Sequence, residues 1–510
     1  MVSVVSKTGA NSHAARAAVM HALLRWSPAL ASVASLLPLV LLYWQVGGPS
    51  ALLSDPNTGL HVRTGEWILV HRAAPKEDLF SFSIQGRGWC DWEWLSDILY
   101  ALPYRWDGLA GIASASLGLL SGIAAVIYYT ACVYARPAIA LAVTFLTVAA
   151  TAVHWLARPH LFSWLLLAMF CWFFERFHAT GRKAWLLPMP VLMLIWVNLH
   201  PGFVVGLAML TMWFLGAVID WIRNVRRKNV PQATQLRESI FWLGLIFLAC
   251  LATTLVNPYG LELHRHVLWY LFSPSSVTTH VREWLSPDFQ NPRLYWFALL
   301  VPACAAAGFR SATRAQFAWS AMTLSGLFLA LMAVRNVPLC AVLCAAPVAS
   351  FVEETIGQLR PCLVLQTRPR ALASAHSRII ASCALAVAGL SLSWVEPPHL
   401  APDCSIASAA AAHLRPGRLF TTDSWADYLI FMDPSRRVFI DCRNDLYGPD
   451  LVDAYLRVME ARPGWQEILT KYSISVALVP RTSAISAALA ASTEWRLSYE
   501  NATARVFERL

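Results

Sequence analysis

The sequence predicts an all-α polytopic membrane domain of about eleven transmembrane helices, followed by a small soluble α/β domain. Three observations carry that prediction. Of the 510 residues, 57% are apolar and only 14% charged, with a mean hydropathy of +0.50, whereas soluble domains carry about 25% charged residues. Apolar runs long enough for a hydrocarbon core, which takes about 20 residues per helix, recur between short loops as far as Trp394. From about Pro397 the composition becomes soluble, and strand-like and helix-like patterns alternate.

Taken in order, the spans are expected at 28–46, 109–132, 138–156, 161–175, 186–200, 203–220, 240–256, 294–308, 316–334, 337–351 and 379–395. Eleven is odd, so the termini fall on opposite sides of the membrane. Alternate loops hold Lys7, Arg16 and Arg25; Arg136; Arg176, Arg182 and Lys183; Arg223 to Arg237; Arg310 and Arg314; and Arg360 to Arg378. By the positive-inside rule those loops are cytoplasmic. Residues 1–27 are then a cytoplasmic N-terminus, and 28–396 a transmembrane domain with outer loops 47–108 and 257–293. Residues 397–510 form an extracytoplasmic domain, as expected for a bacterial-type inner (plasma) membrane protein. The net charge of +10 is spread over these loops, so it reports topology and no nucleic-acid partner is expected. The eleven cysteines form no CxxC pair and no zinc spacing, and most read as small packing residues inside apolar runs.

In the C-terminal domain, 418–422, 437–441, 475–480, 495–499 and 505–508 read as strands, and 426–432, 449–460, 465–472 and 485–491 as helices. Asp441 and Arg443 follow an apolar strand, at the end where α/β folds place ligands. A salt bridge shaping the strand-to-helix turn is the alternative. Cys404 and Cys442 would share an oxidising compartment and could pair.

The stretch Ser54–Asp97 stands apart. It carries Asp55, His61, Glu66, Asp78, Asp91 and Glu93 at a membrane exit, in a chain otherwise poor in charge. Asp55-Pro56 also reads as a helix start, since Asp accepts free first-turn amide hydrogens and Pro is tolerated at the first helical position. Asp55, His61, Gly65, Trp67, Gly86, Trp89 and Trp94 stand in an order that resembles the first outer loop of the GT-C superfamily. These are integral membrane glycosyltransferases that use polyprenyl-phosphate-linked sugars, and the layout is that of the protein O-mannosyltransferase and aminoarabinose transferase branches. Their Asp-Glu pair is Asp55-Pro56 here. Cys90-Asp91-Trp92-Glu93 replaces their Lys-Pro-Pro signature.

The resemblance implies transfer of a sugar from a polyprenyl-phosphate donor, reached through the bilayer, to an extracytoplasmic glycan, lipid or protein acceptor. Phosphate is a good leaving group, so one carboxylate suffices to deprotonate or orient the acceptor hydroxyl. Asp55 takes that role. Glu93 or Asp78 is the second carboxylate, positioning the acceptor or, as in metal-using relatives, holding a divalent cation such as Mg or Mn through oxygen. Cations for the departing phosphate are sought among Arg158, His160, His200, His264, Arg265, His266, Arg282 and Arg335. For each, snorkelling to lipid headgroups is the bland alternative. His61, Trp94 and Glu283 are candidates for positioning the acceptor or the loops. Two other classes compete: a glycan or lipid exporter, which would keep charges at mid-membrane, and a non-catalytic membrane scaffold.

Overall fold

The computed structural model describes residues 27–272, 282–359, 399–401 and 412–510. The predicted span at 379–395 and Cys404 lie outside them, as does the side chain of Arg282. Within the described residues the membrane domain is helical: α1 (Ser27–Leu41), α2 (Asn57–His71), α3 (Trp94–Ala131), α4 (Pro137–Thr151), α5 (His160–Thr180), α6 (Met189–Leu199), α7 (Phe203–Arg226), α8 (Val230–Thr253), α9 (Leu261–Phe272), α10 (Tyr295–Thr313), α11 (Phe317–Met332) and α12 (Val337–Leu359). Among the described residues seven helices are long and apolar enough to cross a membrane, and three shorter apolar helices cover Leu30–Val46, Lys183–Leu199 and Phe317–Met332. The chain is a multi-pass membrane protein. Each of the first ten expected spans falls on one of these helices.

Helix α3 begins before the expected span because its backbone leaves helical geometry at Asp107 and Gly108 (φ 54°, ψ −138°). Gly108 accepts that positive φ without a Cβ penalty. The span proper follows the break, and the segment from Trp94 to Trp106 packs on α2. Gly65 permits that contact: a Cβ there would run into the carbonyl of Asp97.

The C-terminal unit is α/β: β1 (Arg418–Thr421), α13 (Asp423–Met432), α14 (Asn444–Met459), α15 (Trp465–Lys471), β2 (Ile474–Pro480), α16 (Ala484–Ala491), β3 (Trp495–Glu500) and β4 (Ala504–Arg509). The sheet runs β1-β2-β4-β3, with β1 and β2 parallel and the other pairs antiparallel. The expected strand at 437–441 is reduced to Val438, which bridges Leu419 of β1 on one side. On its other side it bridges Ser81 of the loop between α2 and α3. The Phe82 amide donates to the Val438 carbonyl and the Val438 amide to the Phe80 carbonyl, both at 3.0 Å. The loop between α2 and α3 thus adds a short strand to the sheet of the C-terminal unit.

Packing continues across that junction. One cluster of buried side chains runs from Leu41 and Leu117 through Phe170 and Trp196 to Leu400, Trp425, Phe431 and Leu478. Helix α13 lies on α2, where Gly59 leaves room for Phe431; a Cβ at Gly59 would stand 2.6 Å from the Phe431 Cβ. Arg63 donates through Nε to the Phe431 carbonyl at 2.7 Å and lies over the Phe431 ring.

Candidate functional site

Asp55 leads into α2 from the first span. Its carboxylate does what the bland reading expects, accepting from the Asn57 amide at 2.9 Å. It also meets a cation: Arg158 Nη1 donates to its other oxygen at 3.1 Å. Arg158 stands between α4 and α5, in a turn tied to the first loop at three points. The Ala157 amide donates to the Leu52 carbonyl at 2.7 Å, Thr58 Oγ1 to the Ala157 carbonyl at 2.9 Å, and Tyr100 Oη to the Arg158 carbonyl at 2.9 Å. The guanidinium is therefore held before anything binds.

The same Nη1 lies 3.6 Å from Glu283, and Arg335 Nη1 reaches Glu283 at 3.1 Å from the other side. Arg335 stacks over Trp284, 4.4 Å from the ring centre. The Val334 amide donates to the Leu285 carbonyl, clipping the two segments together. His154 Nε2 is 3.6 Å from Glu283, and its ring packs on His160. Four segments far apart in sequence thus supply an alternating chain of charge, Asp55, Arg158, Glu283 and Arg335. Burial opposes the charge on Glu283, but Arg158 and Arg335 outweigh it and hold the carboxyl at about 2. The Arg158 guanidinium is pushed further up by Asp55 and then Glu283, against its burial.

A second group adjoins on α2, α3 and the turn after α6. Glu93 lies 3.4 Å from His200 Nε2 and 3.9 Å from His61 Nε2. His200 Nδ1 accepts from the Gly202 amide at 2.9 Å and faces Ser163 Oγ at 2.8 Å. That assigns the His200 proton to Nε2, pointing at Glu93. Burial, then Arg335 and Arg158, keep His200 neutral, down at about 3. Burial likewise pushes the Glu93 carboxyl up to about 7, against the pull of His61 and Arg158. His61 Nδ1 meets Asp97 at 2.7 Å. Trp94 Nε1 donates to Asn198 at 3.1 Å, pinning the start of α3 to the end of α6.

The structure separates the remaining candidates. Asp78 is buried in the junction with the C-terminal unit, where Arg443 Nη2 reaches it at 2.7 Å and holds Asp441 by two bonds at 2.9 and 2.6 Å. Arg443 lies over Trp89 at 4.5 Å. Asp441 and Arg443 therefore form the salt bridge that the sequence offered as one alternative, with Asp78 as its third member. His264 bonds Thr254 Oγ1 at 2.9 Å within its own hairpin. Arg265 is exposed, with Glu262 as its partner. His266 joins Asp445 of the C-terminal unit at 2.9 Å and packs edge-on to Trp92.

Sequence reasoning missed His154, whose position at the end of an apolar run, six residues before His160, was the available signal. It also missed the grouping of Cys304 with Cys340 and Cys344, whose sulfurs lie within 4.8 Å of one another. That cluster sits in an aliphatic core with Ala307, Leu327 and Val348. A site of thiolates there would bury net negative charge without a counter-ion in the cluster.

The residues between Asp55 and Glu283 do not fit a divalent cation. Such an ion takes six or so oxygen ligands, yet both carboxylates face the same guanidinium nitrogen at 3.1 and 3.6 Å.

No protein-family model matches the sequence, and no curated protein matches it. Among solved structures it is similar to the archaeal oligosaccharyltransferase AglB from Archaeoglobus fulgidus in complex with an inhibitory peptide and a dolichol-phosphate. The TM-score is 0.55 at 11% identity, covering 89% of this chain and 69% of that one. The Archaeoglobus fulgidus oligosaccharyltransferase tethered to an acceptor peptide containing the NVT sequon gives 0.55 at 12% identity over the same shares, and its apo form 0.53 at 11%. The chain has the fold of these oligosaccharyltransferases.

Proposed function

We propose that this protein is an integral membrane glycosyltransferase that takes a sugar from a polyprenyl-phosphate-linked donor and passes it to an acceptor outside the cytoplasm. The observation that carries the reading is the convergence of Asp55, Arg158, Glu283 and Arg335 at helix ends in a chain with the oligosaccharyltransferase fold. That neighbour was solved with a dolichol-phosphate and a peptide, which supports a lipid-linked donor and an outer acceptor here.

In this reading the acceptor hydroxyl attacks the anomeric carbon while the bond from that carbon to the phosphate oxygen breaks. The proton passes to Asp55, and the electron pair of the broken bond leaves with the lipid phosphate. Arg158 and Arg335 face the growing phosphate charge in a partly buried setting, where fixed cations act more strongly than in water. Glu93, between His61 and His200, positions the acceptor. The N-terminus is cytoplasmic, the membrane is of the bacterial inner type, and the C-terminal unit covers the outer face and takes part in acceptor choice.

The test is sugar transfer by the purified full-length protein from polyprenyl-phosphate sugars. Loss of a general base costs about 100-fold or more, so Asp55→Asn, shown to be folded by its melting temperature, is expected to fall by at least that factor. An unchanged rate would remove Asp55 from the role.

A further inference from the structure

We propose that the Arg158 guanidinium is the resident cation of this site, standing where a divalent metal would otherwise be needed, so that transfer proceeds without one. The inference rests on the glycosyltransferase reading and deepens it.

The argument begins with charge. Asp55 and Glu283 contribute two negative charges, Arg158 and Arg335 two positive ones, and all four meet within 3.1 to 3.6 Å. A divalent ion binding the same two carboxylates would have to expel Arg158 from both or sit beside its fixed charge. Expulsion is opposed by the anchoring of the Ala157–Arg158 backbone to Leu52, Thr58 and Tyr100. Sitting beside it is opposed by repulsion in a setting where the Arg158 side chain is only 28% exposed.

Geometry adds a positive role. Both ion pairs of Arg158 have their closest approach at Nη1. Among the described residues, Nε and Nη2 donate no hydrogen bond. A guanidinium offers five N–H donors in a planar fork, and phosphate is the group that this fork suits. The edge left open by Asp55 and Glu283 is thus available to the donor phosphate. As the anomeric bond breaks, the phosphate gains one negative charge and Arg158 meets it without any proton transfer. The base and the cation touch each other, so the same contact that orients Asp55 toward the acceptor fixes the fork toward the leaving group.

Two measurements on the full-length protein in detergent test this, and neither depends on knowing the sugar. In the first, Mn2+ binding is followed by electron paramagnetic resonance. The wild-type protein is expected to bind no stoichiometric Mn2+ at millimolar metal, whereas Arg158→Ala, with Asp55 released and Glu283 left to Arg335, should gain affinity by about ten-fold or more. One Mn2+ per wild-type chain, lost in Asp55→Asn, would overturn the proposal even if Arg158→Ala did not fold. In the second, farnesyl phosphate is the probe, with EDTA present throughout. Wild type should bind it, and both Arg158→Ala and the milder Arg158→Lys should bind at least ten-fold more weakly, because Lys keeps the charge but loses the fork. Equal binding by wild type and Arg158→Lys would overturn the assigned role of the fork. If metal and phosphate behave as stated but no polyprenyl-phosphate sugar is turned over, the glycosyltransferase reading fails and the cation assignment stands.

Discussion

Glu283 and Glu93 are displaced in opposite directions by their neighbours, and the two displacements have opposite signs in stability. The Glu283 carboxyl sits at about 2 against an ordinary 4.5. Its contribution to stability is present above 4.5 and lost as the pH falls through 2. Glu93 is at about 7 against 4.5, so its contribution is complete below 4.5 and lost as the pH rises through 7. Melting temperatures in detergent across pH 4 to about 8 should therefore decline more steeply for the wild-type protein than for Glu93→Gln, whose side chain does not titrate. Arg443 offers a second residue-scale prediction. Buried between Asp78 and Asp441, its replacement by Ala leaves two carboxylates unpaired and should cost about 3–5 kcal/mol, read as a lower melting temperature. At this scale the residue types were legible: Asp55, Arg158, Glu283 and Arg335 were all singled out, because charge at a membrane exit is costly enough to be conspicuous. The partners were not. Nothing in the spacing of Asp78 and Arg443, 365 residues apart, distinguishes a clamp from a second catalytic carboxylate.

Among the elements, α2 carries the most consequence, since α3 packs on it at Gly65 and α13 at Gly59. Gly65→Ala places a methyl group against a backbone carbonyl, which has no flexible end to give way. A loss of about 1–3 kcal/mol is expected, as for other overpacked contacts, with the melting temperature as the measure. Phe82→Pro would remove the amide that bonds the Val438 carbonyl. The Val438 amide should then exchange hydrogen at least about ten-fold faster, in line with loss of a local opening barrier. The spanning helices were readable from apolar run length, whereas α9 lay inside an expected loop. The added strand was half readable: Phe80-Ser81-Phe82 alternates as a strand does, but a strand's partner is a matter of tertiary placement, and this one lies over 350 residues away. The break at Asp107 and Gly108 hid the true start of α3, because a hydropathy window sees the apolar run and not the polar turns before it.

At the scale of the molecule, the alternation of basic loops predicts that the C-terminal unit and residues 47–108 share one side, and their strand pairing requires it. A reporter that is active only outside the cytoplasm should be active when fused after Leu510 and inactive when placed in the 223–237 loop. The fold class was legible because bilayer thickness fixes helix length. The union of the two units into one buried cluster was not, since it comes from side chains on both that no local pattern links.

That shared sheet has a consequence for anyone handling the C-terminal unit alone. Cut from the membrane portion, residues 412–510 would leave Val438 with bare backbone groups, an invitation to self-association. A synthetic peptide spanning 76–88 should fill the gap and raise the fragment's solubility, and since the peptide holds no Trp, its binding is read from the fluorescence of Trp425, Trp465 and Trp495 in the fragment. The severed halves of one sheet would thus serve as a lock and key for rebuilding the junction in solution.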